Sequence, residues 1–220
     1  MVTKRQQFDM SLDELRGELI AMGGRVERAI RDSVVSLREG DTSMARLVVD
    51  SDPEINAMEE KIDEIGTRLI ATQQPVAKDL RRILIAFKMA NDFERMADLA
   101  VDVAKVTLRI GGEPLVKPLV DIPRMAEIVR EMTRLSIAAY MQENVDLACK
   151  MAKMDDDVDH LHSQILRELF ALMVENPKTI NQSLLLSFVS RYLERMADHA
   201  TNIGESVVYL VKGRRPDLNS

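Results

Sequence analysis

The chain has 220 residues, with 4 % aromatic residues, no tryptophan and 14 methionines, a composition that favours helix–helix packing over a β-sandwich. Its net charge of −6 disfavours nucleic-acid binding, and its single cysteine, Cys149, excludes an intramolecular disulfide and fits a reducing cytoplasm. No apolar run approaches the roughly 20 residues that span a bilayer, and the N-terminus lacks the apolar region of a signal peptide. We therefore expect a cytoplasmic protein that is not inserted in the membrane.

Apolar side chains recur at steps of three and four along the first segment, at Phe8, Leu12, Leu15, Leu19, Met22 and Val26. This period predicts an amphipathic helix of roughly 30 residues. Glycine in a helix costs about 1 kcal/mol relative to alanine. The adjacent Gly23 and Gly24 therefore predict either a close approach to a neighbouring helix or a local bend. Gly40 is expected to end the helix.

Two further helices complete the first half of the chain. The second is predicted over about 43–73, kinked or interrupted near Pro53, because proline lacks an amide donor. Pro75 suits the start of a third helix over about 76–110. Residues 113–122 contain two of the prolines that follow this helix and are predicted to be a linker. We assign residues 1–112 to a first domain and residues 123–220 to a second.

The second half repeats the plan of the first. Helices are predicted over about 123–149, 153–175 and 178–212. The pentapeptide ERMAD occurs at 94–98 and again at 194–198, in the third and sixth predicted helices. An identical motif at corresponding places indicates an internal duplication of a three-helix unit. The predicted fold is therefore all-α, with two tandem antiparallel three-helix bundles.

Acidic residues recur at steps of four and seven along four of these helices, so each set lies on one helical face. They are Asp52 and Glu59 on the second helix, Glu94, Asp98 and Asp102 on the third, Asp155 and Asp159 on the fifth, and Glu194 and Asp198, with Asn202, on the sixth. A short turn makes consecutive helices antiparallel neighbours, which would bring the carboxylates together. Oxygen ligands favour Mg, Ca, Mn or Fe, and His160, His162 and His199 would also tolerate Zn.

The alternative interpretation is that these residues form ordinary solvated faces, with Arg95 and Arg195 neutralising their acidic neighbours. The exact repetition of the motif favours metal binding over this alternative. The sequence contains no phosphate-binding loop, nucleophile elbow or H-E-x-x-H motif, and it lacks the Glu-x-x-His pairs of di-iron bundles. We therefore expect no enzyme activity. A regulatory adaptor, a metal-storage or metal-dependent bundle, and a structural scaffold remain as candidate functions.

Two three-helix repeats with E-x-x-x-D helices resemble the PhoU family of bacterial phosphate-transport regulatory proteins. The segments FDMSLDELRGELIAMGGRVERAI, QQPVAKDLRRIL and LERMADHATNIGE are similar to family motifs, in order and over nearly the whole chain. The resemblance implies negative regulation of the phosphate-starvation response, as a repressor of the Pho regulon. It also implies a homodimer that links the phosphate ABC transporter ATPase PstB to the sensor histidine kinase PhoR, and that is peripheral to the inner membrane through these partners.

The resemblance also implies metal ligands, with Fe, Zn, Mn or Mg as the ion. They would be Glu94 and Asp98 in the first repeat, Glu194, Asp198 and Asn202 in the second, and Asp52, Asp155 and Asp159 from the preceding helices. The two repeats differ at two positions of this motif. Asp102 stands where the second repeat has Asn202, and Asn56 stands where it has Asp159. The two sites are therefore expected to differ in affinity or in the metal they bind.

Overall fold

The structure is a computed structural model that describes residues 4–213. Within this range the chain forms eight α-helices and no strand. The helices are α1 (Lys4–Glu39), α2 (Thr42–Asp50), α3 (Asp52–Gln73), α4 (Ala77–Ile110), α5 (Asp121–Gln142), α6 (Val145–Ala152), α7 (Asp155–Glu175) and α8 (Ile180–Lys212). A 3₁₀ turn, Pro177–Thr179, precedes α8. The all-α prediction with two repeats is confirmed, and each repeat consists of three long helices and one short helix.

The predicted interruption near Pro53 separates α2 from α3. The Ser51 hydroxyl donates to the Val48 carbonyl at 2.8 Å, and the Ser51 amide donates to the Leu47 carbonyl at 3.1 Å, which closes the end of α2. Pro53 then occupies the first turn of α3, where its missing amide leaves no helical hydrogen bond unmade.

The single helix predicted over 123–149 is wrong, because the chain breaks after Gln142. Glu143 adopts a left-handed backbone with φ of 50°, and Asn144 caps the separate helix α6 by accepting the Leu147 amide at 3.0 Å. Asp41 caps α2 in the same way, accepting the Ser43 and Met44 amides at 2.9 Å. No glycine stands between α5 and α6. The prediction therefore rested on apolar periodicity alone, which continues through the break.

The segment between α4 and α5 is fastened to the second repeat. Gln182 on α8 accepts the Val116 amide, and its own amide donates to the Pro114 carbonyl at 3.1 Å. Lys117 also pairs with Glu168 on α7. The predicted linker, 113–122, overlaps this segment, although α5 already begins at Asp121. The division into two domains stays a prediction, and its residues 1–3 and 214–220 lie outside the described range.

One hydrophobic cluster extends through both repeats, with the rings of Phe93 and Tyr140 among its largest fully buried side chains. Antiparallel α4 and α8 lie side by side at its centre. His199 Nδ1 on α8 is 2.9 Å from Asp92 Oδ1 on α4, while Arg81 near the start of α4 lies against Gly213 at the end of α8. No helix in the described range is both long and apolar enough to cross a membrane.

Candidate functional site

Helices α3 and α4 bring five of the polar side chains into one group. We call it the first acidic face, formed by Asp52, Asn56, Glu59, Glu94 and Asp98. Glu94 is the most buried carboxylate of α4 in this group, and burial is the largest cause that raises its pKa. The charges of Asp98, Glu59 and Asp52 raise the pKa further, while Arg95 opposes them. The structure therefore gathers the predicted acidic residues of α3 and α4 around Glu94.

Amide and guanidinium groups donate hydrogen bonds to some of the carboxylates of the first acidic face. Arg95 donates to Asp98, three residues further along α4, at 3.3 Å. Asn56 donates to Asp52 at 3.3 Å, and Asn91 donates to Glu59 at 3.4 Å. Because Asn56 supplies a donor where the second repeat has an acid, the first face carries one negative charge fewer at that position.

Asp102 lies at the periphery of the first acidic face. Its carboxylate accepts from Lys105 on the next turn of α4 at 3.0 Å, and its side chain is 41 % exposed. Asp98 is exposed to a similar extent, at 45 %, and pairs in the same way with Arg95. Asp102 therefore stays a predicted ligand.

Helices α7 and α8 form the second acidic face from Asp155, Asp159, Glu194 and Asp198. Burial, followed by the charges of Asp159, Asp198 and Glu194, raises the pKa of Asp155 to about 7. Burial is also the largest cause that raises the pKa values of Glu194 and Asp198. At neutral pH this face therefore holds carboxylates that resist ionisation together.

A different arginine from the one predicted pairs with the second acidic face. Arg191 forms an ion pair with Glu194 one turn away on α8. Arg195 is exposed and lowers the pKa of Asp198 only weakly. Arg191 escaped the sequence analysis because it precedes the repeated pentapeptide, where the first repeat has Asn91.

Asn202 and two of the histidines make their contacts outside the second acidic face. Asn202 makes no side-chain hydrogen bond with any described residue and lines a cleft between α4 and α8 with Lys88 and Asp92. His199 contacts Asp92 across this cleft at 2.9 Å, so its ring is directed toward α4. His162 contacts the Ser190 hydroxyl at 3.0 Å. The structure therefore does not bring Asn202 together with the other ligands that were predicted for the second repeat.

Buried acceptor oxygens without a hydrogen-bond donor are found in both faces. They are Asp52 Oδ1, Asn56 Oδ1 and Glu94 Oε2 in the first face, and Asp155 Oδ1 and Glu194 Oε2 in the second. Of these atoms, Glu94 Oε2 also lies 3.3 Å from Arg95 Nε, which offsets part of its charge. A buried polar atom left unsatisfied costs about 1–3 kcal/mol, and a cation or a water molecule at these oxygens would remove that cost. An all-oxygen donor set fits a hard divalent cation.

The predicted ligands have donor atoms that suit a cation, but these atoms do not converge on one point. Among residues 4–213, no three Asp, Glu, His or Cys side chains are arranged to hold a metal ion together. An ion would therefore need additional convergence of the carboxylates, or water molecules in its shell. The metal ligands and the identity of the ion stay predictions.

Comparisons with known proteins agree with this architecture. The family model described as the PhoU domain matches residues 19–107 and 122–207, one segment in each repeat. The "Phosphate-specific transport system accessory protein PhoU homolog" of Clostridium acetobutylicum is 40 % identical over 216 residues, which covers 98 % of this chain and 99 % of that protein.

Two crystal structures have the same fold. PhoU from Pseudomonas aeruginosa superposes with a TM-score of 0.89 at 37 % identity, over 94 % of this chain and 100 % of the other. The phosphate transport system regulatory protein PhoU from Streptococcus pneumoniae gives a TM-score of 0.89 at 27 % identity, over 96 % and 99 % of the two chains.

Proposed function

The chain belongs to the PhoU domain family, and on this premise we propose that it regulates phosphate transport as an accessory protein of the transport system. The observation that carries the proposal is the 40 % identity with an accessory protein of that name over 98 % of this chain. Similarity of this extent includes both repeats and leaves no room for an unrelated additional domain within the matched region. The role is regulatory, in keeping with the name of the relatives as accessory proteins.

In finer detail, we propose that the protein represses the phosphate-starvation response when phosphate is plentiful. It would do so as a cytoplasmic homodimer that contacts the sensor histidine kinase PhoR and the transporter ATPase PstB, and so resides at the inner membrane through its partners. Family resemblance supports this part of the proposal.

The two acidic faces would bind divalent or trivalent metal ions. Asp52, Glu94 and Asp98 would supply oxygen ligands in the first face, and Asp155, Asp159, Glu194 and Asp198 would supply them in the second. A bound cation would neutralise the carboxylates whose pKa values are raised. The side chains of α3 and α7 would then be held against those of α4 and α8, which would fix the surface that a partner contacts.

The test is alkaline phosphatase activity in phosphate-rich medium, measured in a strain of the source organism that lacks this gene. We expect high activity without the gene and low activity after complementation with wild type. The Asp98→Asn/Asp198→Asn double variant should fail to restore repression. Asp13→Asn is the matched control, because Asp13 is an exposed aspartate on α1 and belongs to neither acidic face.

Low activity in the deletion strain would contradict repression by this protein. If the double variant repressed as well as wild type, the regulatory role would stand, but the acidic faces would not be needed for it. Metal analysis of the purified double variant separates these cases further, since it should contain less metal than wild type. Co-purification with the kinase or the ATPase tests the partners.

A further inference from the structure

A groove on the first repeat combines positive charge with apolar surface. We call it the α1–α2 groove. It encloses about 400 Å³ between α1, α2 and the first turn of α3, and it contains Arg25, Arg28, Arg31, Met44, Leu47 and Ile55. The groove borders the first acidic face, because Ser51 and Ile55 of its lining flank Asp52, but none of the carboxylates of that face contributes to its lining.

The rim of the groove is basic in an acidic chain. Three arginines and one carboxylate, Asp32, contribute to its lining, whereas the whole chain has a net charge of −6. Arg25 pairs with Glu54, and Arg31 pairs with Asp32 at 2.8 Å. The exposed side chain of Arg28 makes no hydrogen bond or ion pair with any residue in the described range. Arg28 is therefore available to an external anion.

The floor of the groove is apolar and partly open. Ile55 and Val48 are buried beneath it, whereas Leu47 is 70 % exposed. A groove that recognised only a small inorganic anion would have no use for an exposed leucine beside its arginines. Apolar contact together with positive charge matches a segment that presents both leucine-like and acidic side chains.

The second repeat lacks this combination of side chains. The N-cap residues Asp41 and Asn144 occupy equivalent places before α2 and α6. Aligning them places Ile128, Glu131 and Arg134 at the positions of Arg25, Arg28 and Arg31, and Lys150 at the position of Leu47. Arg134 is moreover neutralised by Glu131. The fold therefore does not require three arginines or an exposed leucine here, and a specific role for the first repeat accounts for them.

We propose that the α1–α2 groove docks an acidic amphipathic helix of a partner protein. Apolar side chains of that helix would pack on Leu47 and Met44, and one of its carboxylates would pair with Arg28. Helices of this kind present apolar anchors at steps of three and four, which a groove between two helices accommodates. The inference goes beyond the proposed function and is independent of it.

The experiment uses the full chain and a fluorescein-labelled synthetic helix of about 18 residues, with leucine at steps of three and four and glutamate elsewhere. Fluorescence anisotropy at about 0.1 M salt measures its affinity. A matched peptide has lysine in place of every glutamate. The protein variants are Arg28→Glu and Leu47→Glu. Lys150→Glu is the control, since it changes the charge as Arg28→Glu does at an exposed position of the second repeat. Circular dichroism verifies the fold of each variant.

We expect wild type to bind the acidic peptide and not the basic one. Arg28→Glu and Leu47→Glu should each weaken binding about tenfold or more, and Lys150→Glu should leave it unchanged. Absence of binding to the acidic peptide, or equal weakening by Lys150→Glu, would overturn the proposal. If excess inorganic phosphate displaced the peptide and Leu47→Glu had no effect on binding, the proposal of a helix-docking groove would be overturned in favour of a simple anion site.

Discussion

Gly23 on α1 lies directly against Ile137 on α5, so that a Cβ atom at position 23 would overlap the Ile137 side chain and approach the buried ring of Phe93. This contact joins the first repeat to the second within the core. A Cβ atom at Gly24, its neighbour in sequence, would lie 3.9 Å from Arg28 Nη1, so this position has room for a side chain. One residue of the glycine pair therefore permits the helix crossing, and the other does not contribute to it.

Gly23→Ala is expected to lower the free energy of unfolding by about 1–3 kcal/mol, because the added methyl group overpacks a closed contact. Gly24→Ala is the matched control and is expected to raise that free energy by up to about 1 kcal/mol, through helix propensity alone. Urea unfolding followed by circular dichroism measures both. Equal effects of the two substitutions would show that the crossing tolerates a side chain.

The sequence predicted the close approach at this glycine pair, but not which glycine makes it, since that depends on how α1 rotates against α5. The same limit applies to the candidate site. Spacing placed Glu194, Asp198 and Asn202 on one face, yet Asn202 lines the cleft between α4 and α8 with Lys88 and Asp92. Positions that are eight residues apart on a helix drift slowly around its axis, and periodicity does not show on which side a neighbouring helix lies. The break at Asn144 depended on a capping side chain that periodicity does not detect.

The ion pairs at the junction of α1, α4 and α5 predict an acid-sensitive contribution to stability. Burial raises the pKa of Glu143, but hydrogen bonds and charges from Lys78 and Arg82 outweigh it and hold the pKa below its ordinary value of 4.5. Asp79 behaves likewise: burial raises its pKa, and Arg5 and Arg82 bring it below 3.8. A carboxyl whose pKa is lowered by folding stabilises the protein above its ordinary pKa, and this contribution disappears as pH falls through the folded value.

Glu143→Gln tests this contribution. At pH 7 the variant should be less stable than wild type by about 1–2 kcal/mol, because charge-assisted hydrogen bonds to Lys78 and Arg82 are lost. The difference should shrink as pH falls below about 4.5, since a protonated glutamic acid resembles glutamine. Urea unfolding of both proteins between pH 7 and pH 3 measures it. A difference that stays constant with pH would show that Glu143 acts through packing instead of charge.

Asp155→Asn should have opposite effects with and without metal. In the presence of a chelator at pH 8, removing one carboxylate from the second acidic face relieves repulsion, and we expect Tm to rise by about 2–4 °C. With excess Mn²⁺, wild type should gain more in Tm than the variant, because the variant has lost a ligand. Asp13→Asn, which changes an exposed aspartate outside both faces, should show neither effect. A wild-type Tm that is indifferent to Mn²⁺ and to chelator would contradict metal binding.

The contact between Asp92 and His199 should contribute to the docking of α4 on α8. Both side chains are largely buried, at 16 % and 20 % exposure. A double-mutant cycle with Asp92→Ala and His199→Ala should give a coupling of about 0.5–2 kcal/mol. The exposed pair of Arg38 and Glu39 is the control, and its coupling should be near zero. Equal coupling in the two pairs would mean that the burial of Asp92 and His199 adds nothing.

Residues 114–117 contact α7 and α8, so an intact peptide between α4 and α5 is not needed to hold the two halves of the chain together. Gln182 holds the backbone of Pro114 and Val116, and a hydrophobic cluster common to both repeats lies beneath. The halves are therefore joined by their interface as well as by the peptide that connects them. A chain cut once between α4 and α5 is expected to remain a single particle, and the two fragments, produced separately, should reassemble into it.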